Sequence, residues 1–216
     1  MSKLFFTLCL YLSSVYVAKA QQPDTLSASQ NRFSILFGLN QPIVLRGFNF
    51  EVNYSTNKWI FDYSHGIGLH VDGNTLGDSY EKQQLDFRIS HSAGFGIGYR
   101  LTESFNIRFE PKVHFYETYY TGDAQKSPNS LADFTTYTLG IGAYYNWLPF
   151  ENRENWLKGI TVVPSVRYWQ KIDSTLPNNE FSYFNTRTNA TERFKAPNIG
   201  IANSPVVLNI SVGYSF

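Results

Sequence analysis

The chain has 216 residues, with 18 Lys and Arg against 17 Asp and Glu, a balance that excludes a strongly basic chain and gives no reason to expect nucleic acid as a partner. Its one cysteine, Cys9, excludes a disulfide-stapled scaffold, so an exported form would depend on a core or a closed sheet. Aromatic residues make up 17% and charged residues 16%, which suits strands whose ends carry interfacial aromatics.

In chain order, Met1-Ser2-Lys3 is a short basic start, residues 4–17 form an apolar run, and Ala18-Lys19-Ala20 is an A-x-A cleavage pattern. Together they predict a secretory signal peptide over residues 1–20, with Cys9 leaving in it. The run falls short of the roughly 20 apolar residues a spanning helix needs. Residues 21–216 then read as one domain, and no later apolar run approaches spanning length.

That domain alternates with a period of two. Trp59, Phe61, Tyr63, Ile67, Leu69 and Val71 share one face against Asp62, Ser64, Gly66, Gly68 and His70. The same holds for Leu85, Phe87, Ile89, Ala93, Phe95, Ile97 and Tyr99 against Asp86, Arg88, Ser90, Ser92, Gly94, Gly96, Gly98 and Arg100. Strands are predicted at 33–40, 43–54, 58–71, 85–100, 104–119, 133–148, 158–172 and 205–216. Several exceed the roughly 5–6 residues common in globular sheets and suit the 9–11 of a tilted spanning strand. The fold class is therefore all-β, an antiparallel up-and-down transmembrane β-barrel of about eight strands.

Connections alternate in length, as such barrels require. Those at 55–57, 101–103 and 151–157 are expected on the periplasmic side, and the longer ones at 72–84, 120–132 and 173–204 outside. The first outer link, around Gln41-Pro42, is expected to be unusually tight. Tyr54, Trp59, Tyr99, Phe105, Trp147 and Phe216 would come to the periplasmic rim as an aromatic girdle.

In the last predicted strand, Leu208, Ile210, Val212, Tyr214 and Phe216 alternate with Asn209, Ser211, Gly213 and Ser215. With the alternation and the export pattern, this segment resembles the small, roughly eight-stranded bacterial outer-membrane β-barrel proteins, in which a strand ending on an aromatic is the signal read by the barrel-assembly machinery. The resemblance implies an integral outer-membrane location, outer-membrane lipid and that machinery as partners, and Ile210, Val212, Tyr214 and Phe216 as the assembly signal.

Inward parity falls on Glu51, Asp62, Arg88, Arg100, Arg108, Glu110, Lys112, His114 and Arg167. Mixed charge at these positions predicts a buried ion-pair network inside a narrow lumen. A soluble lipocalin-like barrel would reverse the pattern. A turn at 55–58 would set Glu51 opposite Asp62, where paired carboxylates either do acid/base chemistry or are neutralised by arginines across the lumen. Gly94, Gly96 and Gly98 are expected near Arg108 and Glu110, and Gly140 and Gly142 near Lys112 and His114, leaving room for long side chains or a polar slot.

His65 and His91 take outward parity and are expected as cross-strand neighbours near mid-membrane unless a bulge turns one inward. None of His65, His70, His91 or His114 has Ser two residues later. The His-x-Ser arrangement of outer-membrane lipid A deacylases and phospholipases is thus missing, and neither cofactor nor metal is expected. The 173–204 loop carries Phe181, Tyr183, Phe184, Arg187, Arg193, Phe194 and Lys195, which could contact a glycan or a protein, or pack as a cap. The functional expectation is a plugged barrel that binds or scaffolds through its outer loops. A small-solute passage and a lipid-modifying enzyme are the alternatives.

Overall fold

Residues 31–216 are described by a computed structural model; the segment expected as a signal peptide, with Cys9, lies outside them. Eight strands close a barrel: β1 (Arg32–Gly38), β2 (Phe48–Ser55), β3 (Trp59–Val71), β4 (Leu85–Arg100), β5 (Phe105–Tyr120), β6 (Ala132–Tyr145), β7 (Ile160–Ser174) and β10 (Val206–Ser215). Each pairs antiparallel with its neighbours in the order β1-β10-β7-β6-β5-β4-β3-β2, and β10 joins β7 to β1 to complete the ring. A separate hairpin, β8 (Glu180–Asn185) and β9 (Ala190–Lys195), rises from the longest loop. The short connections 56–58 and 101–104 lie at one end of the barrel, the turn end, together with the longer 146–159 segment, and the longest connection, 175–205, lies at the other, the loop end.

The first hairpin departs from the expected tight link. Residues 40–43 form a helical turn, α1 (Asn40–Ile43), and β2 begins only at Phe48. Pro42 has no N–H to give a ladder. Asn40 Nδ2 donates to the Leu208 carbonyl, Gly47 N donates to Gln41 O at 3.0 Å, and Arg46 takes a left-handed φ of 50°. Ile43 and Val44, apolar enough to suggest a strand, stand exposed on this loop.

A second departure lies in β4. Its ladder to β5 slips by one residue between Ile89 and His91, and β3 opposite takes a positive φ of 60° at Gly68. Below the bulge the odd residues His91, Phe95, Ile97 and Tyr99 are exposed and the even residues Ser92, Gly94 and Gly98 are buried. Above it Leu85, Phe87 and Ile89 are 0%, 0% and 1% exposed, although uniform alternation would leave all three on the outer face. Ile89 pairs with Tyr116, which shares a face of β5 with Lys112 and His114, so the apolar residues now look into the barrel. One extra residue thus swaps the two faces of a strand.

Two chambers result. Toward the turn end the interior is polar; toward the loop end Leu69, Leu85, Phe87, Ile89, Tyr116 and Phe134 form an apolar core with loop residues Leu76, Tyr80, Leu176 and Phe194. Tyr80 comes from α3 (Asp78–Lys82), which follows the helical turn α2 (Gly73–Leu76).

Ring closure is tight at Gly213, opposite Leu36, where a Cβ would collide with the Ile35 carbonyl. Backbone cannot move aside as a side chain can. Gly213→Val is expected to prevent β10 from closing on β1, read as loss of folded barrel on a semi-native gel. Wild-type yield of folded barrel would contradict it.

Candidate functional site: a charged lumen beneath an aromatic lid

Arg108, on β5, lies at the centre of the polar chamber. Its Nη1 donates to Glu51 Oε1 at 2.6 Å and Asn53 Oδ1 at 3.1 Å, and stands 3.4 Å from Asp62 Oδ2. Its Nε donates to Asn106 Oδ1 at 2.8 Å, and its Cζ lies 3.9 Å from the centroid of the Tyr144 ring. Arg167 Nη2 approaches the other Glu51 oxygen at 3.6 Å from the β7 side. One guanidinium therefore ties β5 to β2 and β3 across the lumen, and a second ties β7 to β2.

Nearer the loop end, Lys112 Nζ donates to Ser64 Oγ at 2.5 Å and lies 4.3 Å over the Trp169 ring, whose Nε1 donates to Glu110 Oε2 at 3.3 Å. His114 Nε2 shares a hydrogen bond of 2.9 Å with Thr138 Oγ1. The cations Arg108, Lys112 and Arg167 thus face the carboxylates Glu51, Asp62 and Glu110, all buried. Charges taken from water are tolerated when opposite charges and hydrogen bonds surround them.

Pairing registers place several residues differently from simple hairpin counting. Glu51 lies opposite Ser64 and Asp62 opposite Asn53, so the two carboxylates meet through Arg108 and not face to face. Gly140 lies opposite Glu110 and Gly142 opposite Arg108, two steps nearer the turn end than Lys112 and His114. The space these glycines leave is taken: a Cβ on Gly140 would enter the Trp169 indole, one on Gly96 the Asp62 carboxylate, and one on Gly94 the Lys112 stem. Tyr144 and Trp169 complete the chamber; sequence reasoning passed over them, although their inward parity could have found them.

Arg88 is not part of this network. The bulge below it turns it to the outer side, where its Nη1 donates to Glu117 Oε2 at 3.2 Å and to Gln125 O at 3.3 Å. Arg100 ends at the turn end, donating to the Thr56 and Glu103 carbonyls.

Over the loop end the β8–β9 hairpin folds down as a lid. Phe194 is 2% exposed, its ring 5.7 Å from Phe87, 6.2 Å from Phe134 and 5.5 Å from Phe181. It is a core residue and is corrected from an exposed loop contact: inward parity on β9 aims it into the mouth. Phe181 and Tyr183 pack partly buried on the same side, while Phe184 and Arg193 remain exposed. Tyr80 Oη donates to Lys195 O, Gln83 Nε2 to Arg193 O and Asn185 Nδ2 to Gln83 O. Arg187 Nη2 pairs with Asp123 at 2.7 Å. In the hairpin, burial raises the Glu192 carboxyl pKa, but hydrogen bonds from Asn185, Thr188 and Tyr183 outweigh it and hold the group below its usual range. Burial, then the Glu192 charge, pushes the Tyr183 hydroxyl up.

The outer wall is apolar. Phe61, Phe95, Ile97, Phe109, Ile141, Val166, Leu208 and Ile210 are exposed on it, and Tyr54, Trp59, Tyr99, Trp147 and Phe216 ring its turn end. Val212 and Tyr214 share the outward face of β10, and Phe216 N donates to Phe33 O at 2.8 Å. An apolar band with aromatic edges around a polar interior inverts the plan of a soluble barrel.

No family model matches the chain, and no curated protein matches it. Among solved structures, the crystal structure of Ail, the attachment invasion locus protein of Yersinia pestis, is similar at 15% identity and a TM-score of 0.44, over 87% of this chain and 100% of that one. Ail in complex with the heparin analogue sucrose octasulfate gives 14% and 0.43 over the same shares. The backbone structure of the Yersinia pestis outer membrane protein Ail in a phospholipid bilayer nanodisc gives 14% and 0.40, again over 87% and 100%.

Proposed function

We propose that this chain is an integral outer-membrane barrel that does not conduct and that acts as a binding or scaffolding protein through its loop-end surface. The observation that carries this reading is the combination of an exposed apolar wall with a mouth closed by Phe194 over the buried Arg108, Glu51 and Asp62 cluster. The wall suits lipid, and the filled interior leaves function to the surface outside the membrane. That surface offers Phe184, Arg193 and Lys195 on the outer face of the hairpin, with Glu180 pairing both cations, a mixed patch suited to a glycan or a protein.

On this reading the barrel-assembly machinery takes Ile210, Val212, Tyr214 and Phe216 as its signal. The purified barrel is expected to stay silent in planar lipid bilayers. Steady unitary conductance would favour the small-solute passage, and release of the protein from membranes by salt alone would defeat the membrane assignment.

A further inference from the structure

The lipid-facing wall is interrupted on β3 and β4. His65 and His91 both point outward there, diagonal across the two strands since Ala93 pairs with His65 and Ile67 with His91. Their ring centroids are 5.8 Å apart at an interplanar angle of 46°. The bulge beside Ser90 turns neither ring inward: His91 is exposed and His65 half-buried. Polar rings facing hydrocarbon are costly, so the pair calls for a chemical partner.

Depth makes one available. Directly above His91 on the outer side, the bulge sets the part-buried Arg88 and its buried partner Glu117, so the apolar band ends at this histidine. His65 sits one pairing step lower.

We propose that His65 and His91 form a site for a borderline divalent transition metal such as Zn²⁺, Ni²⁺ or Cu²⁺. Imidazole nitrogen is a preferred donor for these metals. With metal–nitrogen bonds of about 2.0–2.1 Å, two imidazoles on one metal hold their ring centroids roughly 5–6 Å apart, which is the spacing here. Tyr63 Oη hydrogen-bonds His65 Nδ1 at 3.2 Å and the Phe50 ring stands 5.8 Å away, so the His65 ring is oriented with Nε2 left to ligate. A hydrogen bond on the second nitrogen is the usual support of a metal-binding histidine. Among the described residues no cluster of three or more His, Cys, Asp or Glu forms, so water or a lipid phosphate would fill the remaining positions and the metal would exchange readily.

The test uses the untagged protein purified from membranes, in detergent and again in phospholipid nanodiscs, titrated with Zn²⁺ in competition with a chromophoric indicator and with Cu²⁺ by electron paramagnetic resonance. One metal per barrel is expected in both environments, with hyperfine splitting from two nitrogens. His65→Ala and His91→Ala should each weaken binding at least tenfold, and His70→Ala, at the loop rim, should leave it unchanged. No binding, equal binding by the His65→Ala and His91→Ala variants, a one-nitrogen spectrum, or binding confined to detergent would each overturn the proposal. Circular dichroism confirms in every variant that the barrel is folded, which separates a failed site from a failed fold.

Discussion

Arg108→Met is expected to destabilise the barrel by about 3–5 kcal/mol, as removal of one partner from a buried ion pair does when it strands the other. Both Glu51 and Asp62 lose their shortest contact to a cation, but the loss is unequal. Glu51 keeps Arg167 at 3.6 Å, whereas Asp62 already has one carboxylate oxygen, Oδ1, with no hydrogen-bond partner among the described residues. Most of the penalty should therefore fall on Asp62, and adding Asp62→Asn to Arg108→Met should recover more stability than adding Glu51→Gln. Urea unfolding in lipid, followed by tryptophan fluorescence, measures all three. A cost under about 1 kcal/mol for the single variant would mean that water reaches the pair and screens it as at a surface.

Alternation and loop parity were enough to read the eight barrel strands from the chain, because a wall with lipid on one side and a polar lumen on the other forces a period of two at every strand. Most barrel strands start or end within about two residues of where the pattern puts them, within the usual scatter of such boundaries. What failed was local. Ile43 and Val44 extend an apolar pattern through a segment that Pro42 and the left-handed Arg46 turn into a loop. Ser90 is one residue too many, and nothing in its neighbours marks it, yet it sends Phe87 inward and Arg88 outward. Cross-lumen contacts such as Arg108 with Glu51 were accessible only as a set of inward residues, since pairing partners depend on turn registers that shift by one or two positions without changing the alternation. The lid was less legible still. Phe194 reads equally as an exposed loop contact or as part of a packed cap until the hairpin is folded over Phe87 and Phe134.

Phe194→Ala should release that lid while leaving the barrel intact. Deleting a buried phenylalanine ring costs about 3–5 kcal/mol. The hairpin's other ties are polar, among them the hydrogen bonds from Tyr80, Gln83 and Asn185, those from Thr186 to Tyr120 Oη and from Arg187 to the Thr121 carbonyl, and the half-exposed Arg187–Asp123 pair, and each neutral hydrogen bond contributes about 0.5–1.5 kcal/mol. The ring thus outweighs any single polar tie, and its loss moves the lid's opening equilibrium by about 100-fold or more. Protease cleavage in the 186–189 turn should accelerate by that order, with the barrel strands still protected. Conductance should nonetheless stay silent, because the Arg108, Glu51 and Tyr144 layer fills the lumen independently of the lid. A conducting Phe194→Ala barrel would show instead that the apolar mouth is the sole seal, and the charged layer beneath it would then be the lining of a passage.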